Sequence, residues 1–460
     1  MYPDARTSIH KADSGVIRPT TRSFRLSHRW ILGGVVLATL AGYAETTARF
    51  GHALAVADAH LYYTHAHSWY FDGDCDYRNN IAENRALEVR AYYLRQQSPA
   101  GTVVNVFPCG WSLVAMPFLA LADGLTIAHN SVADAQIPRN GHSVYYRAVV
   151  PLGHVLVGLL GILASYAVAA RYFSKLIAAI SVACIWIGTN ASYFISVEPT
   201  ISHAASLGFV AMMIWASDTI HRDGWSLARA VVLGLACGMM MAVRHQNIAW
   251  IVVPILLLGP RLGRDAWEGR CGRFSPWKLP LITVLAAALC LVPQVGVNLA
   301  THGSVFGALP GFMPDWLHPA IWRELLAPRT GLFVLYPLSA VCLLGAIAMA
   351  WQKRHSPLNR ALAVGVAAIL YLNACAAFGP PRRYACCFIV FVLALAATIH
   401  WAGRSKWRIV LLGLLVSSAI ARNMALMVLA DRCLVDRDLF TATSTQTWGF
   451  AGNLSRLLGL

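Results

Sequence analysis

Long apolar runs recur along the chain, each separated from the next by a short basic connector. A helix rises about 1.5 Å per residue, so about 20 apolar residues cross the ~30 Å hydrocarbon core of a bilayer. Runs of that kind fall near 30–50, 105–127, 148–170, 176–196, 203–220, 228–243, 247–259, 279–299, 331–351, 361–378, 384–401 and 408–430. Those at 228–243 and 247–259 are short for a crossing and read as tilted, kinked or broken. No internal repeat or low-complexity segment is visible. The pattern predicts an all-α fold, a polytopic transmembrane helical bundle of about 11–13 helices, because only helices and closed barrels satisfy their backbone in lipid.

The connectors set the orientation. Arg171 and Lys175 form one basic turn, and His221, Arg222 and Arg229 another. Arg261, Arg264, Arg270, Arg273 and Lys278 follow, then Lys353, Arg354 and Arg360, then Arg404, Lys406 and Arg408. Basic loops face the cytoplasm. The loops at 196–203, 244–247, 300–330 and 379–384 therefore face the other side. Residues 1–28 read as a basic cytoplasmic tail, with Arg18, Arg22 and Arg25 ahead of an uncleaved first helix, since no A-x-A cleavage site stands in a suitable place. Residues 29–460 then form a single transmembrane domain with outer loops near 51–104 and 300–330.

The alternation fails once. The loop at 51–104 is outside, and the 148–170 run must also start outside, so 105–127 is not a simple crossing. Pro108, Gly110 and Pro117 favour a broken or re-entrant segment, with a miscounted span as the alternative. In the 51–104 loop, Tyr62, Tyr63, Trp69, Tyr70 and Phe71 suit short helices lying in the interface. The 300–330 loop is similarly aromatic.

Composition sharpens this picture. Hydrophobic residues make up 57% and charged residues 13%, against about 25% charged in a soluble domain. The net charge is +16, but the basic residues sit in small clusters rather than one stripe, which argues against a nucleic-acid partner. The eleven cysteines show no metal-binding spacing. Cys184, Cys237, Cys290 and Cys342 lie in apolar runs as small hydrophobes, whereas Cys75 and Cys109 share the outer region and are candidates to pair.

Ionisable groups at or near membrane depth are functional candidates. Asp58 follows the first helix, with His60, His65 and His67 after it. It suits a general base for a hydroxyl, or else a helix N-cap. Asp72, Asp74 and Asp76 alternate like a cation site but lack the glutamate of an EF-hand loop, so a solvated acidic turn competes. Glu198 and His203 stand at the outer mouth of a span, where they could hold a metal ion or polar substrate, or where Ser202 simply caps a helix. Arg244, with Gln246 and Asn247, suits a phosphate through its planar fork, or a snorkelling role at the interface. Arg329, Arg382 and Arg383, with Tyr384, place guanidinium groups on the outer side against the charge rule, as an anionic headgroup or phosphate would require.

These motifs resemble the C-type (GT-C) glycosyltransferase superfamily, and within it the bacterial branch similar to protein mannosyltransferases and aminoarabinose transferases. That family carries an acidic residue after its first helix, then a phrase like FDGDLD. Here Asp58 is followed by Phe71, Asp72, Gly73, Asp74, Cys75 and Asp76. An Asn-Lys-Tyr-Pro phrase corresponds to Asn105, Val106, Phe107 and Pro108, so the family's lysine is absent. An EPxxSH phrase stands at Glu198 to His203, an RPQN-like turn at Arg244 to Asn247, an SPRxGLF phrase at Ala327 to Phe333, and an FGPRY phrase at Phe378 to Tyr384. Pro381 is an extra residue in the last, so Arg382 or Arg383 fills its arginine position.

The resemblance implies a membrane glycosyltransferase that takes a sugar from a polyprenyl-phosphate donor, undecaprenyl phosphate in bacteria. It implies Asp58 as the base, and Arg244, Arg329 and Arg382 or Arg383 as donor-phosphate ligands. His60, Tyr63, Glu198, His203, Gln246 and Tyr384 would line the substrate cavity, with Glu198 and His203 as candidate ligands of a divalent cation. The acceptor would be a glycolipid or glycan rather than a protein, at the periplasmic face of a bacterial inner membrane, with membrane lipid as a further partner. The rival is a lipid or solute transporter or flippase, which predicts related halves and charges near the bilayer centre.

Overall fold

The computed structural model describes residues 27–49, 51–52, 54, 57–98, 101–134, 136–267, 277–307, 314–327, 331–351, 357–376 and 381–431. The regular elements among them are helices, with one isolated bridge between Gln97 and Val103. In chain order they are α1 (His28–Arg49), α2 (Ala57–His67, running on as a π turn to Asp72), α3 (Arg78–Ala82), α4 (Leu87–Leu94), α5 (Gly110–Val132), α6 (Val144–Val149), α7 (Leu152–Tyr172), α8 (Lys175–Gly188) and α9 (His203–Asp223). Then come α10 (Leu227–Val243), α11 (Val252–Trp267), α12 (Lys278–His302), α13 (Ile321–Leu326), α14 (Leu332–Leu335), α15 (Pro337–Trp351), α16 (Pro357–Cys375), α17 (Phe388–Ala402) and α18 (Lys406–Asp431). Tight 3-10 turns at His245–Ile251 and Pro381–Cys387 lead into α11 and α17.

Eight helical stretches among the described residues are long and apolar enough to cross a membrane. The protein is a multi-pass, all-helical membrane protein. Its helices sort by how much of their surface the bundle covers. The stretch holding α17 is 72% buried and apolar all round, as a central helix must be. The α12 stretch is 11% buried and presents Leu281, Val284, Leu285 and Leu289 outward, as a lipid-facing helix does. Shorter apolar helices, including α8 and α10, complete the bundle. At one end Asp218 of α9, fully buried, accepts from Arg171 of α7 at 2.5 Å and pairs with Arg222 at 3.2 Å. The opposite end, where α1 finishes, carries the loops that the basic connectors predict to face outward.

The segment expected to break does not. Helix α5 is continuous through Pro117. An interior proline costs about 3 kcal/mol, offset here by burial of Trp111, Ala115, Leu119 and Ala122. By length and composition α5 is itself one of the eight candidate spans. Trp111 stacks on His154 at the start of α7 (4.1 Å). Farther along α5, Asp123 accepts from Tyr146 at 2.6 Å and His129 meets the Tyr145 hydroxyl at 3.1 Å. Helix α7 runs from His154 toward Arg171, so advancing along α5 leads away from the Arg171 end. At its start, Gly110 packs on α10 so closely that a Cβ would lie 2.2 Å from the Ala242 carbonyl carbon. At its far flank, Tyr43 of α1 donates to the Ala148 carbonyl at 2.5 Å.

Both long loops pack on the bundle. Asp315 and Ala320 donate their amides to the carbonyls of Cys375 and Ala374 at 2.9 and 3.1 Å. Trp316, Leu317 and Trp322 stay exposed on that loop, as interfacial aromatics do. The acidic run closes its own turn: Asp72 accepts from Asn79 and Asn80, Asp74 from Ser68, and Asp76 from the Val103 amide. The turn bonds use these carboxylates separately, so the cation reading does not hold. Cys75 and Cys109 stand as free thiols.

Candidate functional site

Segments far apart in sequence meet at the end of the bundle where α1 finishes. Asp58 lies in the first turn of α2, Ser202 and His203 open α9, Arg244 and Gln246 sit in the turn before α11, and Arg382 to Tyr384 form the turn before α17. The Arg382 guanidinium donates to the Asp58 carboxylate at 3.2 Å across 324 positions of chain. That carboxylate is 42% exposed and so open to an incoming group. It is an ion pair rather than a simple cap.

Arg244 is the hub. Its Nη1 donates to Ser202 Oγ at 3.1 Å and to His203 Nδ1 at 3.0 Å, and its Nη2 to Gln246 Oε1 at 3.2 Å. A guanidinium only donates, so His203 Nδ1 must accept, leaving a neutral ring with its proton on Nε2. Gln246 in turn reaches the Arg383 carbonyl at 3.5 Å. Ser202 makes no capping bond; its hydroxyl donates to the Tyr62 hydroxyl at 2.8 Å. Tyr62 stands one turn after Asp58 on the same face of α2.

Behind the arginines lies a carboxylate that no sequence motif marks. Glu324 of α13 is 4% exposed and accepts from the Tyr384 hydroxyl at 3.3 Å. Burial pushes its carboxyl above the usual range, against the opposing field of Arg383.

The expected residues are sorted by this arrangement. Asp58, His203, Arg244, Gln246, Arg382, Arg383 and Tyr384 come together. His60 and Tyr63 do not line the cavity, contrary to expectation. A helix turns about 100° per residue, so both point away from the face of Asp58 and Tyr62. His60 is buried between the carbonyls of Leu54 and Asn80, at 3.1 and 2.6 Å. Tyr63 donates to the Gly141 carbonyl at 2.8 Å, and Gly141 has a φ of 72° and packs on His67 where a Cβ would lie at 2.5 Å. His65, placed beside Asp58 by sequence, is locked between the Tyr77 hydroxyl and the Phe107 carbonyl, and burial lowers its pKa to about 4. Arg329 and the Phe378–Pro380 stretch lie outside the described residues.

The divalent-cation reading of Glu198 and His203 does not fit. Arg244 occupies the His203 Nδ1 lone pair, and Arg382 and Arg383 add to a positive field that repels a cation. Among the described residues no three His, Cys, Asp or Glu side chains are grouped to hold a metal. Sequence reasoning missed Tyr62, Ser202 and Glu324 as site residues. Tyr62 carried a signal in its four-residue spacing from Asp58, and Ser202 in its place within the EPxxSH phrase, whereas Glu324 carried none.

Fold and site together define a multi-pass helical membrane protein with an arginine-rich cluster at the end of its bundle opposite Arg171 and Asp218. No family model matches the chain, and no curated protein matches it. Among solved structures it is similar to the crystal structure of ArnT from Cupriavidus metallidurans bound to undecaprenyl phosphate, at a TM-score of 0.48 and 14% identity, over 94% of this chain and 76% of that one.

Proposed function

We propose that this protein is a glycosyltransferase that moves a sugar from a polyprenyl-phosphate carrier, undecaprenyl phosphate in bacteria, to a hydroxyl-bearing acceptor at the outer face of the inner membrane. The observation that carries this reading is one partly exposed carboxylate, Asp58, paired with Arg382 in a cluster that Arg383 and the distant Arg244 complete.

In the reaction, Asp58 accepts the proton of the acceptor hydroxyl while that oxygen attacks the anomeric carbon. The bond from the anomeric carbon to the phosphate oxygen breaks, and polyprenyl phosphate departs carrying the electron pair. Arg244, Arg382 and Arg383 meet the charge that grows on the leaving phosphate, the task for which fixed donors in a low-dielectric site are most effective. Neutral His203 offers its Nε2–H to the same anion. Arg382 holds the carboxylate in the empty site and exchanges it for phosphate when the donor enters, which frees Asp58 for the acceptor. The acceptor we favour is a glycolipid or glycan.

The test is transfer of radiolabelled sugar from a panel of undecaprenyl-phosphate sugars into membrane glycolipid, with wild type and Asp58→Asn at matched expression. Transfer by wild type that the variant loses supports reaction and base together. Equal transfer by both removes Asp58 from the mechanism, and no transfer from any donor removes the reaction.

A further inference from the structure

The arginine cluster has its own internal anion. Glu324 reaches it from the second outer loop, is 4% exposed, and is anchored by the Tyr384 hydroxyl at 3.3 Å. The charged groups that face it are Arg383 from the turn before α17 and Arg323 from its own helix. Helix α14, which packs on α13, brings no titratable side chain. Helix α16 brings Tyr371 and Cys375 at its near end and Arg360 at its far end. Glu324 therefore balances Arg383 while the site is empty.

An incoming phosphate changes that balance. It takes up the field of Arg383 and sets a second negative charge near a carboxylate that has little water to stabilise it. A buried charge stripped of its counter-ion is strongly unfavourable. The carboxylate has one inexpensive relief, which is to take a proton from solvent. Its bond to Tyr384 survives the change, because a protonated carboxyl donates to the phenol oxygen that donated to it before.

We propose that Glu324 is the resident counter-ion of the arginine cluster, and that a phosphodiester binding at Arg383 is accompanied by uptake of one proton on the Glu324 carboxylate. This rests on the donor-phosphate reading above and deepens it. Glu324 is a positioning residue here, since it acts through Arg383 and Tyr384. The proton makes donor binding stronger at lower pH, with an affinity that falls by up to about tenfold per pH unit as pH rises through the window where the free carboxyl is ionised and the bound one is not. The sign follows from the order of the two states: a neighbouring anion raises the carboxyl pKa further, so the complex binds more protons than the free protein.

The experiment is calorimetry on the full-length chain in detergent, with a short-chain prenyl methyl phosphodiester as probe. The diester carries one fixed charge, so its own titration does not enter. Binding heats in two phosphate-free buffers of different ionisation enthalpy give the number of protons taken up. Uptake approaching one proton in wild type, absent in Glu324→Gln, with the variant's affinity flat across pH, is the expected result. Binding by wild type with no proton uptake overturns the proposal while leaving the donor reading intact, and it does so whether or not the variant folds. Equal uptake in a folded Glu324→Gln assigns the proton elsewhere and overturns it as well. No binding at any pH overturns the donor reading and this inference with it.

Discussion

Replacing Arg244 with alanine removes the hub of the site. The side chain bonds to three partners, with closest distances of 3.0 Å to His203, 3.1 Å to Ser202 and 3.2 Å to Gln246. A hydrogen bond involving a charged group contributes about 1.5–3 kcal/mol. Ser202 keeps its bond to Tyr62, so its loss is partial. His203, 4% exposed, is left with an empty Nδ1 acceptor and a ring free to turn. Loss of one fixed donor to a developing oxyanion costs about 2.7–4 kcal/mol, or a factor of about 10²–10³ in kcat. Arg244→Ala is expected to fall in that range. Arg244→Lys keeps the charge but not the fork, and a single ammonium cannot serve Nη1 and Nη2 partners together, so it is expected to recover about a tenth of the wild-type rate. The assay is sugar transfer from a polyprenyl-phosphate donor by purified protein, with kcat and KM resolved. A fall in kcat places the guanidinium on the leaving phosphate, and a rise in KM alone places it on the bound donor. A variant that folds and turns over within about threefold of wild type, a deficit of about 0.6 kcal/mol, refutes the assignment.

Three further outcomes are expected. Tyr62→Phe deletes the acceptor of the Ser202 hydroxyl, which frees Ser202 and loosens Arg244; at about 1 kcal/mol for a neutral hydrogen bond, transfer should fall about fivefold with little change in thermal stability. Chelation with EDTA should leave transfer by the wild type unchanged, because the positive field around His203 disfavours a divalent cation; a rate lost to chelation and restored by one divalent metal would refute that. The fully buried His65, lowered to about 4, should make folding pH-dependent. Between an unfolded pKa of about 6.5 and that value the unfolded chain binds the extra proton, so stability falls as pH drops through this window and levels off below it, by about 3 kcal/mol in all. Unfolding of His65→Asn measured against pH should lose one proton from that slope.

Much of the fold was legible in the chain. Whether a segment of about 20 residues can enter lipid depends on its own composition, because the bilayer supplies the same solvent to every helix. The runs at 148–170, 203–220, 279–299 and 408–430 therefore match α7, α9, α12 and α18 closely. The run at 105–127, read as broken or re-entrant, folds as α5, one of the eight stretches long and apolar enough to cross. The break expected there was wrong, because Pro117 speaks only of its own backbone while the burial that holds α5 straight comes from its neighbours.

The site divides in the same way. Motif order brought out Asp58, Arg244, Arg382 and Arg383, but no spacing says that a guanidinium 324 positions away ends at the Asp58 carboxylate. Nor does sequence separate Tyr62, which faces the arginines, from Tyr63, which faces Gly141. The two are adjacent and chemically alike, and only the rotation of α2 against its neighbours assigns them opposite roles. Glu324 was invisible for the same reason. A carboxylate in an outer loop looks solvated in a linear chain, and it becomes the counter-ion of Arg383 only when α13 folds back to bury it against Tyr384. Local composition determined which segments enter the membrane. Long-range packing decided which charges face one another, because electrostatic contact depends on distance in space and not on distance along the chain.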